Sequence, residues 1–314
     1  MNLQVRNLNM IPVVILGCSI TRILATATPS LAVPTMPSRI SFRDEWILSI
    51  AAPNIKALNE SEGCHLDEAI CLMNYLNGQI EVEAAAISIT AYVSNDFAPR
   101  NLAMCCLWNL FADVLVHFEE DRDKVIELLL SIQKLPPTDI CWWKLPGFSR
   151  SWEVYRKMYQ VPLNGVENSN EDPSQAQTRH ANNVATMTAE AKMFVQGVYG
   201  ITNLWAFRTI NLVCEGDSLD VVMPSIHAWL QIAGPKLAET LLPEQVKSYE
   251  RAIRGRPDKR YLMSATLYEH WYHWQKTLLQ ASYDDEHLSQ ETLWLAAECY
   301  GIMKAQKITM PEPK

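Results

Sequence analysis

The stretch DRDKVIELLLSIQKLPP, Asp121 to Pro137, decides the fold. Its apolar positions Val125, Leu128, Leu129, Ile132 and Leu135 recur at steps of three and four, which marks one buried face of a helix. Asp121 and Asp123 fall in the first turn, where negative charge complements the helix dipole, and Pro136-Pro137 stops the helix. Working outward, the same period predicts a helix over Leu66–Asn77, ended by Gly78, and a second through Val93. Asn101–Phe118 is a more apolar third. Further helices are expected at Ser149–Gln160, Gln175–Gln196, Thr202–Cys214, Leu219–Ala233, Pro243–Arg254, Arg260–Ala281 and Ser289–Lys307. No stretch sustains the period of two that marks a strand. The expectation is all-α: a single large multi-helix bundle or helical-hairpin array of about ten helices over residues 41–308, followed by a tail at 309–314. The polar run 164–174, with Gly165 and Pro173, is the candidate seam between halves.

Charge divides the chain differently. The 314 residues hold 27 basic and 35 acidic side chains, a net −8, but the first 43 contain no acid and four arginines, Arg6, Arg22, Arg39 and Arg43. Everything from Asp44 onward therefore carries −12. An acidic body lacks the basic face that nucleic-acid binding requires. The apolar run Met10–Cys18 is too short to span a bilayer, so no membrane span is expected. Residues 1–40 read as a leader outside the fold, with three readings open. Met10–Cys18 followed by Ala25-Thr26-Ala27 has the outline of a secretory signal, the arginines and hydroxyl residues that of a mitochondrial transit peptide, and Met36 is a plausible start. Eight cysteines without a CxxC pair fit a reducing compartment, which favours the cytoplasm, although the sequon at Asn59 points the other way.

Several segments form an ordered set. Leu107-Trp108-Asn109-Leu110 precedes Lys134-Leu135-Pro136-Pro137 and Trp143-Lys144-Leu145-Pro146-Gly147-Phe148. Leu204-Trp205-Ala206-Phe207-Arg208, Ala228-Trp229-Leu230-Gln231 and His270-Trp271-Tyr272-His273-Trp274 follow. Their order and spacing resemble a fungal family of all-helical proteins typified by oxopyrrolidine biosynthesis cluster protein G, from about Leu66 to Lys307. The resemblance implies a helical protein acting in, or accessory to, secondary-metabolite biosynthesis, and it carries over no catalytic residues. The sequence departs from that pattern at Asn182-Asn183-Val184-Ala185-Thr186-Met187, where relatives tend to show a run containing asparagine and phenylalanine.

That departing helix holds the sharpest chemical pattern. Asn182, Thr186 and Glu190 stand at i, i+4 and i+8, on one helix face, and resemble the second magnesium motif of class I terpene cyclases. In that alternative Asp121 and Asp123 supply the opposing acids, and Arg254, Arg256, Lys259 and Arg260 hold a prenyl diphosphate, with Mg2+ as cofactor. Against it, the Glu119–Asp123 cluster lacks DDxxD spacing, and a helix cap explains its acids. Otherwise no cofactor is expected. Glu269, His270 and His273 offer metal-ligating types without an evident third partner; the plainer expectation turns Trp271 and Trp274 inward and the histidines outward. Cys105-Cys106 lies in an apolar helix that would raise a thiol pKa. The leading expectation is an aromatic-walled space, with Trp108, Trp205, Trp229 and Trp271 as walls, that binds a small apolar metabolite. The rival is a non-catalytic helical module that docks a protein partner, such as a pathway enzyme.

Overall fold

The computed structural model of the chain describes residues 41–52, 54, 56–57, 63–94, 100–160, 172–214, 219–240, 267–306 and 308. The leader, the sequon, most of the 164–174 stretch and the basic residues 251–260 lie outside these. Among the described residues there are eleven α-helices and no strand. They are α1 (Phe42–Ser49), α2 (Leu66–Leu76), α3 (Val82–Ser94), α4 (Arg100–His117), α5 (Arg122–Gln133), α6 (Phe148–Tyr159), α7 (Pro173–Gln196), α8 (Asn203–Ile210), α9 (Leu219–Glu239), α10 (Leu267–Ala281) and α11 (Gln290–Ala305). The all-α expectation of about ten helices holds.

The two long helices α7 and α9 pack along each other and form the spine. On one side α4 and α6 pack against α7, with α5, α3 and α2 layered beyond; on the other, α11 lies on α9 and pairs with α10. The core is one continuous apolar cluster that includes Trp108, Trp152, Trp229, Trp271 and Trp274. Tryptophans at helical spacing thus fill the interior, as large apolar side chains do wherever their ring nitrogens find partners. No single described helix is long and apolar enough to cross a membrane.

Two boundaries differ from the periodicity reading. The helix expected to stop at Ala233 runs through Gly234-Pro235 to Glu239. A Cβ at Gly234 would meet Ile302 Cγ2 at 2.9 Å, so this glycine serves close approach of α11 and not termination. Thr202–Cys214 tightens into a 3-10 turn over Asn211–Cys214. His270 is also buried, at 1% exposure, and packs on the Trp274 ring, where a surface position was expected. Residues 270, 271 and 274 share one helical face, and burying both tryptophans takes His270 in with them.

Arg43 corrects the charge division. Ser41 caps α1 by accepting from the Asp44 amide. Arg43 then sits inside α1. Its Nη1 donates to both carboxylate oxygens of Asp121, at 2.9 and 3.0 Å, and its other nitrogens reach Asp44 and Asn77. Only three arginines remain with the leader, and the body from Ser41 onward holds 24 basic against 35 acidic residues.

The same contacts explain the Glu119–Asp123 turn. Between α4 and α5 the chain bends by 115°. Asp121 occupies the cap position of α5 yet accepts no capping hydrogen bond, because Arg43 engages its carboxylate. Arg122 is buried and donates from Nε to the Leu115 carbonyl at 2.9 Å, filling an orphan acceptor at the end of α4. Asp123 accepts from Lys192 on α7 at 2.8 Å. One turn therefore ties α1, α4 and α7 together. Asp121→Ala, which leaves Arg43 partly buried without its partner, should cost about 2 kcal/mol in urea unfolding. Asp123→Ala, at an exposed pair, should cost no more than about 0.5 kcal/mol in the same measurement.

Candidate functional site: a two-chambered cleft between α4 and α6

Where α4 and α6 cross, their side chains do not close the space between them. An outer chamber of about 500 Å3 is lined by Met104, Cys105 and Trp108 of α4, Pro146 of the connecting turn, and Arg150 and Val154 of α6. The turn fixes its rim. Leu145 adopts a left-handed conformation, φ 42°, unusual for a branched residue, and is held there by full burial and by its amide donating to Trp142 O at 2.8 Å. Gly147, φ 89°, completes the reversal, and the Trp108 indole N–H donates to Pro146 O at 2.8 Å. The Trp108 indole is thereby fully buried at the chamber's edge with its polar atom satisfied.

Asn109 lines this chamber and a smaller one beyond it. The inner chamber, about 140 Å3, is bounded by Ile50, Cys64, Cys106, Asn109, Asp113 and Tyr155. Its far wall depends on Gly63: with φ 114°, a Cβ there would lie 2.3 Å from Ile50 O, so only glycine permits the Ala51–Cys64 bridge. Asp113 is the sole carboxylate of α4. Burial pushes its pKa up to about 6, opposed by the hydrogen bond from Tyr155. Burial, with the Asp113 charge behind it, pushes the Tyr155 phenol well above its usual range. The thiols are pushed up by burial too, Cys64 to about 12 and Cys106 to about 11, so neither is a ready nucleophile. Cys105 is exposed to the outer chamber instead. All seven cysteines among the described residues are free thiols.

The opposite face of α6 is held from behind. Trp152 Nε1 donates to Glu190 Oε2 at 3.1 Å, and Arg156 Nε lies 3.4 Å from the same oxygen. Arg156 also donates to Thr209 Oγ1 at 2.6 Å and lies over the Trp205 ring. Glu190 is fully buried, and burial raises its pKa against the pull of Arg156, Trp152, Trp229 and Arg208. α6 thus presents Val154 and Tyr155 to the cleft while Trp152 and Arg156 anchor it to α7 and α8.

The residues singled out from sequence are dispersed. Of the four tryptophans only Trp108 lines the cleft. Trp205 is half-buried beneath Arg156, Trp229 packs on Phe194, and Trp271 is enclosed in the core of α10, so the four do not wall one space. Asn182, Thr186 and Glu190 share a helical stripe but not a site. The Thr186 hydroxyl is buried and donates back to Asn182 O at 2.7 Å, while Glu190 is committed to Trp152 and Arg156. Asp121 and Asp123 are paired with Arg43 and Lys192. Among the described residues no three His, Cys, Asp or Glu side chains converge as a metal would require. Arg254, Arg256, Lys259 and Arg260 lie outside the described residues. Asp113, Arg150 and Tyr155 went unremarked in the sequence, and Asn109 entered only as part of the Leu107–Leu110 segment. The one available signal was Asp113 itself, a lone acid inside an apolar helix.

Residues 108–278 match the model of a family described as a protein of unknown function (DUF3632). No curated protein and no solved structure matches the chain.

Removing the Glu190 carboxylate tests whether it braces the cleft. Glu190→Ala leaves Arg156 and the Trp152 N–H without their acceptor and should cost about 3 kcal/mol in urea unfolding. The wild-type unfolding midpoint should not respond to Mg2+; a metal-dependent rise would place a ligand set there.

Proposed function

The chain belongs to the DUF3632 family of proteins of unknown function, and we propose that it binds a small, largely apolar metabolite in the α4–α6 cleft. The observation that carries this reading is the cleft itself: a mainly apolar chamber lined by Trp108, Met104 and Val154, beside a smaller polar recess with which it shares Asn109. Small-molecule sites have this composition, apolar walls for affinity and a few fixed polar groups for orientation. The ordered tryptophan segments support placing that ligand in fungal secondary-metabolite biosynthesis, through their resemblance to the cluster-protein family. A magnesium-dependent cyclase reading finds no support in the placement of Asn182, Thr186 and Glu190. Val154 and Met158, exposed at 60% and 49% on α6, keep protein docking as the second reading.

Titration with the neutral apolar dye Nile red should show saturable one-to-one binding. Val154→Arg, at an exposed position that leaves the core untouched, should weaken it by about tenfold, or ~1.4 kcal/mol. Absence of saturable binding by the wild type would remove the cleft as a ligand site, and co-purification of a defined partner blocked by the same substitution would favour docking. Deletion of the gene in its host should change the profile of apolar secondary metabolites; an unchanged profile would separate the protein from that chemistry.

A further inference from the structure

The inner chamber holds a carboxylate with no counter-charge. Asp113 lines it, and the Tyr155 hydroxyl beside it has a single proton for two acceptors, the Asp113 carboxylate and Asn109 O at 3.3 Å. Among the described residues no lysine or arginine forms an ion pair with Asp113. The titratable groups around it come from every neighbouring element. They are Cys105, Cys106 and His117 on α4, Tyr155 and Tyr159 on α6, Cys64 beside Ile50, and Glu68 of α2 behind Cys64. None is a cation at neutral pH: burial pushes the Cys64 and Cys106 thiols and the Tyr155 and Tyr159 phenols up and the His117 imidazole down. A recessed, ionised carboxylate is costly unless something supplies a donor or a positive charge.

We infer that the ligand of the cleft carries a basic amine nitrogen, which seats in the inner chamber against Asp113 while its apolar body lies along Trp108, Met104 and Val154. The inference rests on the ligand-binding reading of the cleft. An ammonium group donates to the Asp113 carboxylate and to the Asn109 side-chain oxygen, and supplies the counter-charge that the described residues do not. The chamber of about 140 Å3 is of a size for a primary amine and its adjoining carbon. Arg150, at the outer chamber, would favour an anion, so the two chambers differ in the charge they accept.

Displacement of bound Nile red by octylamine, octanol and octanoate separates the possibilities. Octylamine should displace the dye at a concentration at least tenfold below that needed for octanol, and octanoate should do worse than octylamine. Asp113→Asn should bring octylamine and octanol level. Tyr155→Phe, which removes only one hydroxyl, should retain the amine preference. The preference should hold above pH 7 and fall as the pH drops through about 6, where Asp113 takes up a proton. Intact dye binding with octylamine no better than octanol, or with octanoate preferred, overturns the amine assignment and leaves the cleft reading standing. Loss of dye binding by the wild type overturns the cleft reading itself.

Discussion

The grip of Glu190 on α6 is the contact through which the cleft exists. One helix must face two ways: Trp152 and Arg156 turn toward the α7 carboxylate, and Val154 and Tyr155 turn toward the opening. A carboxylate in an apolar interior is costly to hold. Here the cost is met by an indole N–H and a guanidinium, both supplied by α6. Such a pair contributes less to net stability than an apolar packing of the same volume would. What it adds is direction, because hydrogen bonds fix the rotation of α6 about its axis in a way that interchangeable apolar contacts do not.

The other wall is fixed by the Glu119–Asp123 turn. α4 ends where Arg122 takes up the Leu115 carbonyl, and the flanking acids hold α1 through Arg43 and α7 through Lys192. α1 in turn delivers Ile50 to the inner chamber, and Gly63 allows the chain to close against it. A cluster that reads as an acidic patch is therefore largely spent on joining helices. Glu119, one of its exposed members, lies 4.0 Å from Arg122 and adds little.

Within these two walls the chamber chemistry follows from what is missing. Trp108 satisfies its N–H on Pro146 and offers only its ring. Asp113 has a phenol beside it and, among the described residues, no ion-pair partner. A site composed this way discriminates by the charge and hydrogen-bonding sense of the group at its inner end, and tolerates variation in the apolar remainder. That combination suits a protein that handles one feature shared by several related metabolites.

The sequence alone determined the helical class and most limits of the described helices, because a period of three to four and its caps are local properties of the chain. It also showed which tryptophans are apolar-face residues, although not what they face. Three helix positions in a row, Asn182, Thr186 and Glu190, are equally compatible with a metal stripe and with a back-bonded threonine beside a buried anchor. Only the packing of α6 onto α7 separated these, since the partners Trp152 and Arg156 lie more than 30 residues away in the chain. Gly234 likewise read as an ending until α11 was seen to press against it. The cleft was decided by tertiary structure entirely: a void is the space that two helices fail to fill, and no residue in either helix encodes it by itself.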